Sequence, residues 1–289
     1  MTEPAKRLAE LQSEVGKLRD YMETHQAEFY VPYKKQLDFH AAGDKFRERC
    51  FLAMNQGGKT WAGGCEVSFH VTGRYPEWWN GRRYKTANNW WVTSEAGDFL
   101  RDNAQRMLIG SINDPGRAVQ LCTASIPKEC IRDITLNRQI TDLVDTMEVE
   151  HVSGKNSFIW FKSYREGRKK WQGATLTGGI WYDEEPEIEL YTEGLTRLNV
   201  YEGSSFITAT PLLGSTGLIL RFLQPAAGDP VRWWTKHSKP CGTGKSRLRG
   251  IVAALRWHRI KTMCRKLPVI RRCRPRSRHR NRMARTIGR

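Results

Sequence analysis

A glycine-rich segment in the first quarter of the chain contains residues whose types and spacing suggest phosphate chemistry. The stretch FLAMNQGGKTWAGG, residues 51–64, begins with four apolar residues that predict a buried strand. Gly58, Lys59 and Thr60 follow, and with Ala53 in the first glycine position they match the pattern G-x-x-x-x-G-K-[ST]. In that pattern the N–H groups at a helix start bind phosphate, the lysine reaches the β- and γ-phosphates, and the hydroxyl binds Mg²⁺. An apolar segment that ends in Gly-Lys-Thr by chance is the alternative, so the prediction requires a carboxylate partner.

The stretch GGIWYDEEP, residues 178–186, supplies that partner. Its apolar residues predict a strand that ends in Asp183 and Glu184, and ligands bind at the carboxyl ends of parallel strands. A strand that runs into an acidic turn is the alternative for these residues alone. Combined with the upstream segment, they predict a site for ATP and Mg²⁺, where Asp183 holds the metal and Glu184 orients and deprotonates the attacking water. We expect both carboxylates at the tip of a neighbouring strand, within water-bridged reach of Thr60.

The segment ITATP, residues 207–211, predicts a further strand whose tip carries Thr208 and Thr210. In nucleotide-driven motors a polar residue at such a tip senses the γ-phosphate and transmits its loss. Hydroxyls that only satisfy backbone groups at a strand end are the alternative. The predicted nucleotide-contacting set joins the phosphate loop to these threonines: Ala53, Asn55, Gln56, Gly57, Gly58, Lys59, Thr60, Thr208 and Thr210.

The elements that must position these residues alternate between strands and helices. Strands are predicted at 51–54, at the start of 90–110, and at 157–164, 178–186 and 204–211. The remainder of 90–110 predicts a helix, and the segment 72–84 predicts an ordered loop packed by its aromatic residues. This alternation is typical of an α/β fold with a mainly parallel sheet and flanking helices.

Residues 5–28 predict an amphipathic helix. Its apolar residues form one stripe at spacings of three or four: Leu8, Leu11, Val15, Leu18 and Met22. A short coiled coil or a partner helix is one interpretation, but such a stripe more often packs on its own domain, which is the expectation here. The predicted organisation is an N-terminal helix at 1–28, one domain at 29–229 and a tail at 230–289.

The positive charge of the chain lies in that tail. The 289-residue chain has a net charge of +18. Residues 230–289 contain 20 Lys and Arg and no Asp or Glu, whereas residues 1–229 contain 28 basic and 30 acidic residues. A basic arm that binds DNA phosphates would have this charge. We favour out-of-frame translation after about residue 230, because the onset is abrupt and the tail contains apolar runs. The CGTGKS stretch at 241–246 follows no apolar strand and does not predict a second phosphate loop.

The other compositional features are those of an ordinary cytoplasmic protein. The seven cysteines form no C-x-x-C pair and no zinc-type spacing with histidine, so reduced thiols are expected. Charged residues up to Asp20 interrupt any apolar run near the N-terminus, so no signal peptide is expected. No run reaches about 18 apolar residues, and no membrane span is expected.

Four motifs resemble, in order, the ATPase domain of the large terminase subunit of tailed double-stranded DNA phages and prophages: FLAMNQGGKT, HVTGRYPEWWNGRRY, KKWQGATLTGGIWYDEEP and TATPLLG. They cover about residues 29–225. The resemblance implies a P-loop NTPase core of the additional-strand, catalytic-glutamate type. It also implies a motor that hydrolyses ATP with Mg²⁺ to drive DNA into an empty capsid. The implied partners are double-stranded DNA, a small terminase subunit, the portal protein and further copies in a homo-oligomeric ring, in the host cytoplasm.

The resemblance also assigns roles to residues outside the three motifs discussed first. Gln36, in YKKQLDFH, matches an adenine-contacting glutamine, whose amide pairs with the edge of the base; a surface glutamine is the alternative. Several family members carry an arginine in the phosphate loop where this chain has Asn55. Arg168 is therefore the candidate for an arginine donated across a subunit boundary to stabilise transition-state charge. A solvated basic cluster is the alternative: Arg165, Arg168, Lys169 and Lys170.

The C-terminal part departs from the family. Large terminase subunits usually carry a nuclease domain whose Asp and Glu side chains hold two metal ions, and residues 230–289 offer no acid, so nuclease activity is not expected. Two other functions stay open. A helicase or remodelling ATPase shares the loop and acid motifs but needs a second motor domain. A non-catalytic basic DNA-binding remnant would bind DNA without Lys59 and without a response to ATP.

Overall fold

A computed structural model describes residues 3–110, 123–211 and 216–223. Predictions for the tail and for residues 212–214 of the TATPLLG motif lie outside the described residues, as do those for Cys122, Cys241, Cys264 and Cys273. Seven strands form one sheet: β1 (Glu48–Leu52), β2 (Asn89–Ser94), β3 (Ile131–Leu136), β4 (Val144–Glu150), β5 (Asn156–Ser163), β6 (Gly179–Asp183) and β7 (Ser204–Ala209). Their order in the sheet is β1-β7-β6-β2-β5-β4-β3.

The sheet is mainly parallel, which confirms the predicted fold class. Strands β1, β7, β6, β2 and β5 run parallel, while β4 is antiparallel to both β5 and β3. Strand β7 pairs with both β1 and β6, so the expectation that Asp183 lies on the strand next to the phosphate-loop strand is wrong by one strand. The strand between them carries Thr208, which brings the threonine tip to the centre of the site.

Seven α-helices accompany the sheet among the described residues: α1 (Glu3–Thr24), α2 (Lys34–Ala42), α3 (Lys59–Thr72), α4 (Gly97–Leu100), α5 (Arg106–Ile109), α6 (Ile188–Leu198) and α7 (Gly217–Leu223). A short π-helix at Arg101–Gln105 joins α4 to α5, and together they form the helix predicted in 90–110. Short 3₁₀ turns occur at Lys128–Cys130, Tyr164–Glu166 and Arg168–Trp171. In the described part of the chain, no helix is both long and apolar enough to cross a membrane.

The two faces of the sheet bury separate apolar cores. Phe51, Trp181 and Phe206 point to the face covered by α2, α3 and α5, whereas Tyr182 and Ile207 point to the face covered by α6 and α7. Alternate residues of one strand serve opposite cores because side chains alternate along a strand. The domain is therefore a three-layer α/β structure in which β1, β2, β6 and β7 are buried on both faces, whereas β5 is fully buried on one face only.

Helix α3 lies unusually close to the sheet. A Cβ atom added at Gly63 would lie 2.5 Å from the Trp181 indole, so glycine is required for this approach. The loop at 72–84 that follows α3 is ordered by its aromatic residues, as predicted, and Trp79 packs in the same core. Together these contacts fix the start of α3 beside the end of β6.

A buried ionic cluster joins α2, β1 and α3. The Glu66 carboxylate pairs with Arg49 and accepts hydrogen bonds from His40 (2.7 Å) and His70 (3.4 Å). Burial would raise the pKa of Glu66, but the Arg49 guanidinium and the two histidines outweigh it and hold the pKa well below its ordinary value. Burial also lowers the pKa of His70. All these side chains are almost fully inaccessible, so the cluster is a structural link between the elements that carry the phosphate loop.

Replacement of Glu66 by glutamine is expected to destabilise the fold by about 3–5 kcal/mol, because it leaves the Arg49 charge buried without a counter-charge. Wild-type stability should also fall in acid. His70 resists protonation in the folded state, so stability drops as pH falls below the ordinary histidine value, and Glu66 adds a further loss as pH falls through its lowered pKa. Urea denaturation across pH measures both effects. The exposed Arg132–Glu150 pair gives the control, since Glu150→Gln should cost less than about 1 kcal/mol.

The apolar stripe of α1 does not pack on its own domain, so the expectation for it is wrong. Leu8, Leu11, Val15, Leu18 and Met22 are all between 43% and 58% exposed. The chain reverses after Thr24, and it is the residues beyond the helix, at 27 and 30, that enter the core. The stripe is thus a surface feature of α1.

Candidate functional site

The phosphate-loop segment connects β1 to α3, as predicted, but the strand covers Glu48–Leu52 rather than 51–54 because the chain already leaves the sheet at residue 53. Strand β1 ends at Leu52, and α3 begins at Lys59 with Gly58 as its N-cap at φ 72°. Gln56 also has a positive φ, of 62°. An added Cβ at Gly58 would lie 3.0 Å from the amide nitrogen of Gln36, so both the backbone conformation and the space favour glycine. The first turn of α3 offers N–H groups without intrahelical acceptors, which is the arrangement that binds an anion.

Asp183 lies at the carboxyl end of β6 and is buried. Its Oδ1 accepts hydrogen bonds from Thr60 Oγ1 (3.1 Å) and Thr208 Oγ1 (2.9 Å). Burial raises the pKa of Asp183 to about 7; the hydrogen bond from Thr208 opposes this shift, and the neighbouring Glu184 adds to it. The predicted closeness of Thr60 and Asp183 is therefore present as a direct contact.

The orientation of Thr208 is set by a residue that the sequence did not single out. Trp181 Nε1 donates to Thr208 Oγ1 at 2.8 Å, so the threonine uses its own proton to donate to Asp183. This chain of donors runs across β6 and β7 beneath the site. Trp181 stands among the apolar residues of its strand, where its sequence position indicated only a core side chain.

Glu184 follows β6 in a backbone conformation with φ 75°, which is rare for a residue with a side chain. Its N–H donates to Thr208 O (2.9 Å), and its carbonyl oxygen accepts from the Tyr164 hydroxyl (2.7 Å). Its carboxylate accepts the N–H of Thr210 (3.0 Å). Burial raises the pKa of Glu184, while the Thr210 N–H and the charge of Lys59 oppose that shift. Hydrogen bonds from three sides thus hold a strained residue whose carboxylate faces the end of β7.

Tyr164→Phe is expected to lower the turnover of ATP hydrolysis by roughly 2- to 10-fold with little change in KM, because it removes one hydrogen bond that holds Glu184 and none that touches the phosphate loop. Steady-state kinetics measures this split. Tyr84→Phe is a matched control, since the Tyr84 hydroxyl donates to Gly178 O (2.6 Å) at the opposite end of β6. Equal losses of turnover in the two variants would contradict a positioning role for Tyr164.

Glu185 turns away from this group of residues. Its carboxylate accepts a hydrogen bond from Thr216 Oγ1. Thr216 Oγ1 in turn caps the N-terminus of α7 by accepting from Ile219 N (3.2 Å). The two consecutive carboxylates therefore have separate surroundings, and only that of Glu184 faces the phosphate-loop lysine.

Lys59 is connected to the tip of β7. Its Nζ donates to Thr210 Oγ1 (2.7 Å) and to Met54 O (3.3 Å), and Thr210 Oγ1 in turn donates to Asn55 Oδ1 (2.8 Å). Burial lowers the pKa of Lys59, while the nearby Glu184 and the carboxylate before it oppose this. A hydrogen-bonded chain thus joins the phosphate loop to the predicted coupling segment. The loop is also tied to β7 by Ala53 N, which donates to the carbonyl of residue 209 at 3.3 Å.

Gln36 lies against the phosphate loop and is 3% exposed, so the alternative of a surface glutamine is wrong. Its Nε2 donates to Gly58 O (3.0 Å), and its Oε1 accepts from Tyr33 N (3.1 Å). The Tyr33 hydroxyl donates to Gly57 O, which places a half-exposed ring beside the same loop. Each polar atom of the Gln36 amide keeps capacity for one more partner, as an adenine edge requires. Tyr33 was missed, although it stands three residues before Gln36.

Arg168 is not brought to the phosphate loop within this chain. Its guanidinium pairs with Glu193 of α6 at 3.0 Å, and Glu193 also accepts from Arg197. The Arg168 side chain is 63% exposed. The alternative of a fully solvated cluster holds for the exposed Arg165 and Lys170, and the side chain of residue 169 lies outside the described residues.

Thr60 and Asp183 have the chemistry to share a divalent cation. A hydroxyl and a carboxylate oxygen 3.1 Å apart suit Mg²⁺, which takes one or two protein ligands together with phosphate oxygens and water. Within the part of the chain that the structure describes, no group of three or more His, Cys, Asp or Glu side chains forms a metal-binding cluster. A cation held by protein alone is therefore not favoured by the described residues, whereas one shared with a nucleotide is.

The family model described as "Terminase large subunit, T4likevirus-type, N-terminal" matches residues 50–217, which contain the loop, both carboxylates and the threonine tip. The chain belongs to the large terminase subunit family. The resemblance inferred from the four motifs is thereby confirmed.

A curated relative agrees with this assignment, and solved structures agree with the fold. The large terminase subunit of Salmonella phage P22 is 35% identical over 272 residues, which make up 87% of this chain and 53% of that protein. The chain thus spans about half the length of this curated relative. Two structures of the large terminase ATPase domain of Thermus phage P74-26, one of them a mutant, match with a TM-score of 0.50 and 18% identity. They cover 80% and 85% of this chain, and 83% and 91% of their own, and they support the fold.

Proposed function

We propose that this chain hydrolyses ATP as the motor part of a phage DNA-packaging terminase. The observation that carries the proposal is the convergence of Lys59, Thr60, Asp183, Glu184 and Thr210 at the carboxyl edge of three strands. That set offers a phosphate cradle, a cation site and a general base in one place. Membership of the large terminase subunit family supports the same activity.

In this proposal each side chain acts on a defined part of the nucleotide. The N–H groups at the start of α3 and the Lys59 ammonium bind the β- and γ-phosphates. Glu184 accepts a proton from the water that attacks the γ-phosphate, and its raised pKa suits that role. Thr60 and Asp183 would hold Mg²⁺, which would supply neutralisation of the charge on the phosphate oxygens. Gln36 and Tyr33 form the wall nearest the adenine.

Thr210 links the chemistry to movement in this proposal. Its hydroxyl contacts Lys59 and Asn55, and its N–H contacts the Glu184 carboxylate. A change in the phosphate that Lys59 holds therefore alters the partners of a residue at the tip of β7. That is the role expected of a γ-phosphate sensor.

We also propose that Arg168 acts on the nucleotide of a neighbouring copy in a ring. It is exposed, positively charged and absent from the contacts described above for this chain's own phosphate loop. Mixing an Arg168→Ala chain with a Glu184→Gln chain should restore some ATP hydrolysis, because a mixed boundary joins an intact Arg168 to an intact Glu184. Hydrolysis in the mixture that stays at the level of each separate variant would contradict the proposal.

The remaining parts of the proposal concern partners. Double-stranded DNA, the small terminase subunit and the portal protein are the proposed partners, and the host cytoplasm is the proposed location. Mg²⁺-dependent ATP hydrolysis by the full chain, stimulated by double-stranded DNA, would support the motor function. Strand separation would instead favour a helicase, and DNA binding without hydrolysis would favour a non-catalytic remnant.

A further inference from the structure

Helix α1 presents an apolar seam to solvent. Its five seam residues are each between 43% and 58% exposed, and the described residues include nothing that covers them: Leu8, Leu11, Val15, Leu18 and Met22. The helix is 22 residues long, or about 33 Å. Exposed helices gain most of their stability from packing of an apolar face, and Gly16 in its middle weakens this one further. Packing of another surface on this seam would therefore stabilise the helix.

The spacing of the seam residues is that of a heptad repeat. Steps of three and four residues assign Leu8, Val15 and Met22 to position a and Leu11 and Leu18 to position d, with no other register possible. Leucine at d with a β-branched residue at a favours two parallel strands, and Val15 is the central a residue. The pattern thus favours a helix with the same pattern as its partner.

The charges that flank the seam favour a second copy of the same helix. Glu14 occupies position g and Arg19 the following position e. In a parallel pair, g of one helix lies beside the next e of its partner, so Glu14 and Arg19 attract each other on both sides of the seam. An antiparallel pair places g beside g and e beside e, which removes this attraction.

We propose that α1 pairs with α1 of a second copy of this chain as a short parallel two-stranded coiled coil. No residue of the nucleotide site takes part in this pairing, which is independent of the proposed ATPase function. The N-terminal helix thus serves self-association, and the identical helix of the second copy, in register, covers the seam.

Analytical ultracentrifugation of the full chain across a wide range of concentration tests the pairing. The chain should shift from monomer to dimer, and Leu11→Ala combined with Leu18→Ala should raise the dissociation constant by about a hundredfold or more. Thermal unfolding of the domain should not change, because the seam lies outside its core. A chain that stays monomeric throughout, with its seam free or covered by another segment or protein, would overturn the proposal.

A charge swap tests the orientation. Glu14→Arg should weaken the dimer because it places like charges beside the seam, and Glu14→Arg with Arg19→Glu should restore it. Asp20→Arg, which makes a similar charge change at the outward position f, is the control and should leave the dissociation constant unaltered. Failure of the double swap to restore pairing, or an equal effect of the control, would overturn the parallel register.

Cross-linking gives an independent result. Leu11→Cys places two thiols opposite each other at a d layer of a parallel pair, so mild oxidation should join two copies through residue 11. An antiparallel pair places residue 11 opposite a different layer and gives no such product. Absence of the cross-link in a dimeric sample would therefore rule out the proposed geometry.

Discussion

Glu184→Gln is expected to abolish ATP hydrolysis while ATP binding stays nearly intact. The amide cannot accept the proton of the attacking water, and loss of a general base lowers turnover by roughly 10²–10⁴-fold. Binding should survive because the phosphate cradle, Lys59 and Asp183 are unchanged, and the glutamine oxygen can still accept the N–H of Thr210. Single-turnover hydrolysis and equilibrium binding of a labelled nucleotide measure the two quantities separately.

Glu185→Gln is the matched control, because it makes the same chemical change at the next residue. The Glu185 carboxylate contacts Thr216 and not the phosphate loop, so single-turnover hydrolysis should stay close to that of the wild type. If Glu185→Gln lost hydrolysis while Glu184→Gln kept it, the assignment of the general base would be wrong by one residue.

Lys59→Ala is expected to weaken ATP binding itself. A hydrogen bond to a charged group contributes roughly 1.5–3 kcal/mol, so loss of the ammonium should raise the dissociation constant for ATP by roughly 10- to 100-fold. Turnover should also fall, because the same charge stabilises the γ-phosphate during its transfer. Isothermal titration calorimetry with ATP and with ADP separates a γ-phosphate contribution from a β-phosphate contribution.

Lys155→Ala is the control for a general effect of lost charge, since Lys155 is exposed on a turn between β4 and β5. It should leave both binding and turnover unaltered. Unchanged ATP affinity in the Lys59→Ala chain would show that the Lys59 ammonium of the wild type keeps its contacts with Thr210 and Met54 when nucleotide is bound and does not bind the phosphates.

The parallel core could be predicted because its strands are short apolar runs that end in polar residues. Strands β5, β6 and β7 lie within one or two residues of their expected limits, except that β6 stops at Asp183, where the backbone of Glu184 enters the left-handed region. Strands β3 and β4 were not predicted. Residues of β3 are half-buried or exposed at the sheet edge, so their hydrophobic pattern is weak.

The candidate site could be predicted as far as its motifs extend. Loop glycines, the loop lysine and strand-end acids have spacings that follow from local geometry, and the structure brings them together. Tyr164 and Tyr33 could not be found in this way, because each acts through one hydroxyl that reaches a distant backbone carbonyl. For α1 the apolar stripe itself could be predicted, but its exposure could not, since periodicity identifies an apolar face without revealing what covers it.

The contact between Glu185 and Thr216 gives the domain a mechanical property. Glu184 and Glu185 share one peptide unit, so a rotation of the strained Glu184 backbone also moves the Glu185 carboxylate, which accepts from the Thr216 hydroxyl that caps α7. Helix α7 is further attached to β1, since Arg221 pairs with Glu48 at 3.0 Å. Helix α7, about 10 Å long, is therefore attached at one end to the strand before the phosphate loop and at the other to the residue after Glu184. Loss of the contact between Glu185 and Thr216 should leave ATP hydrolysis intact but uncouple it from α7.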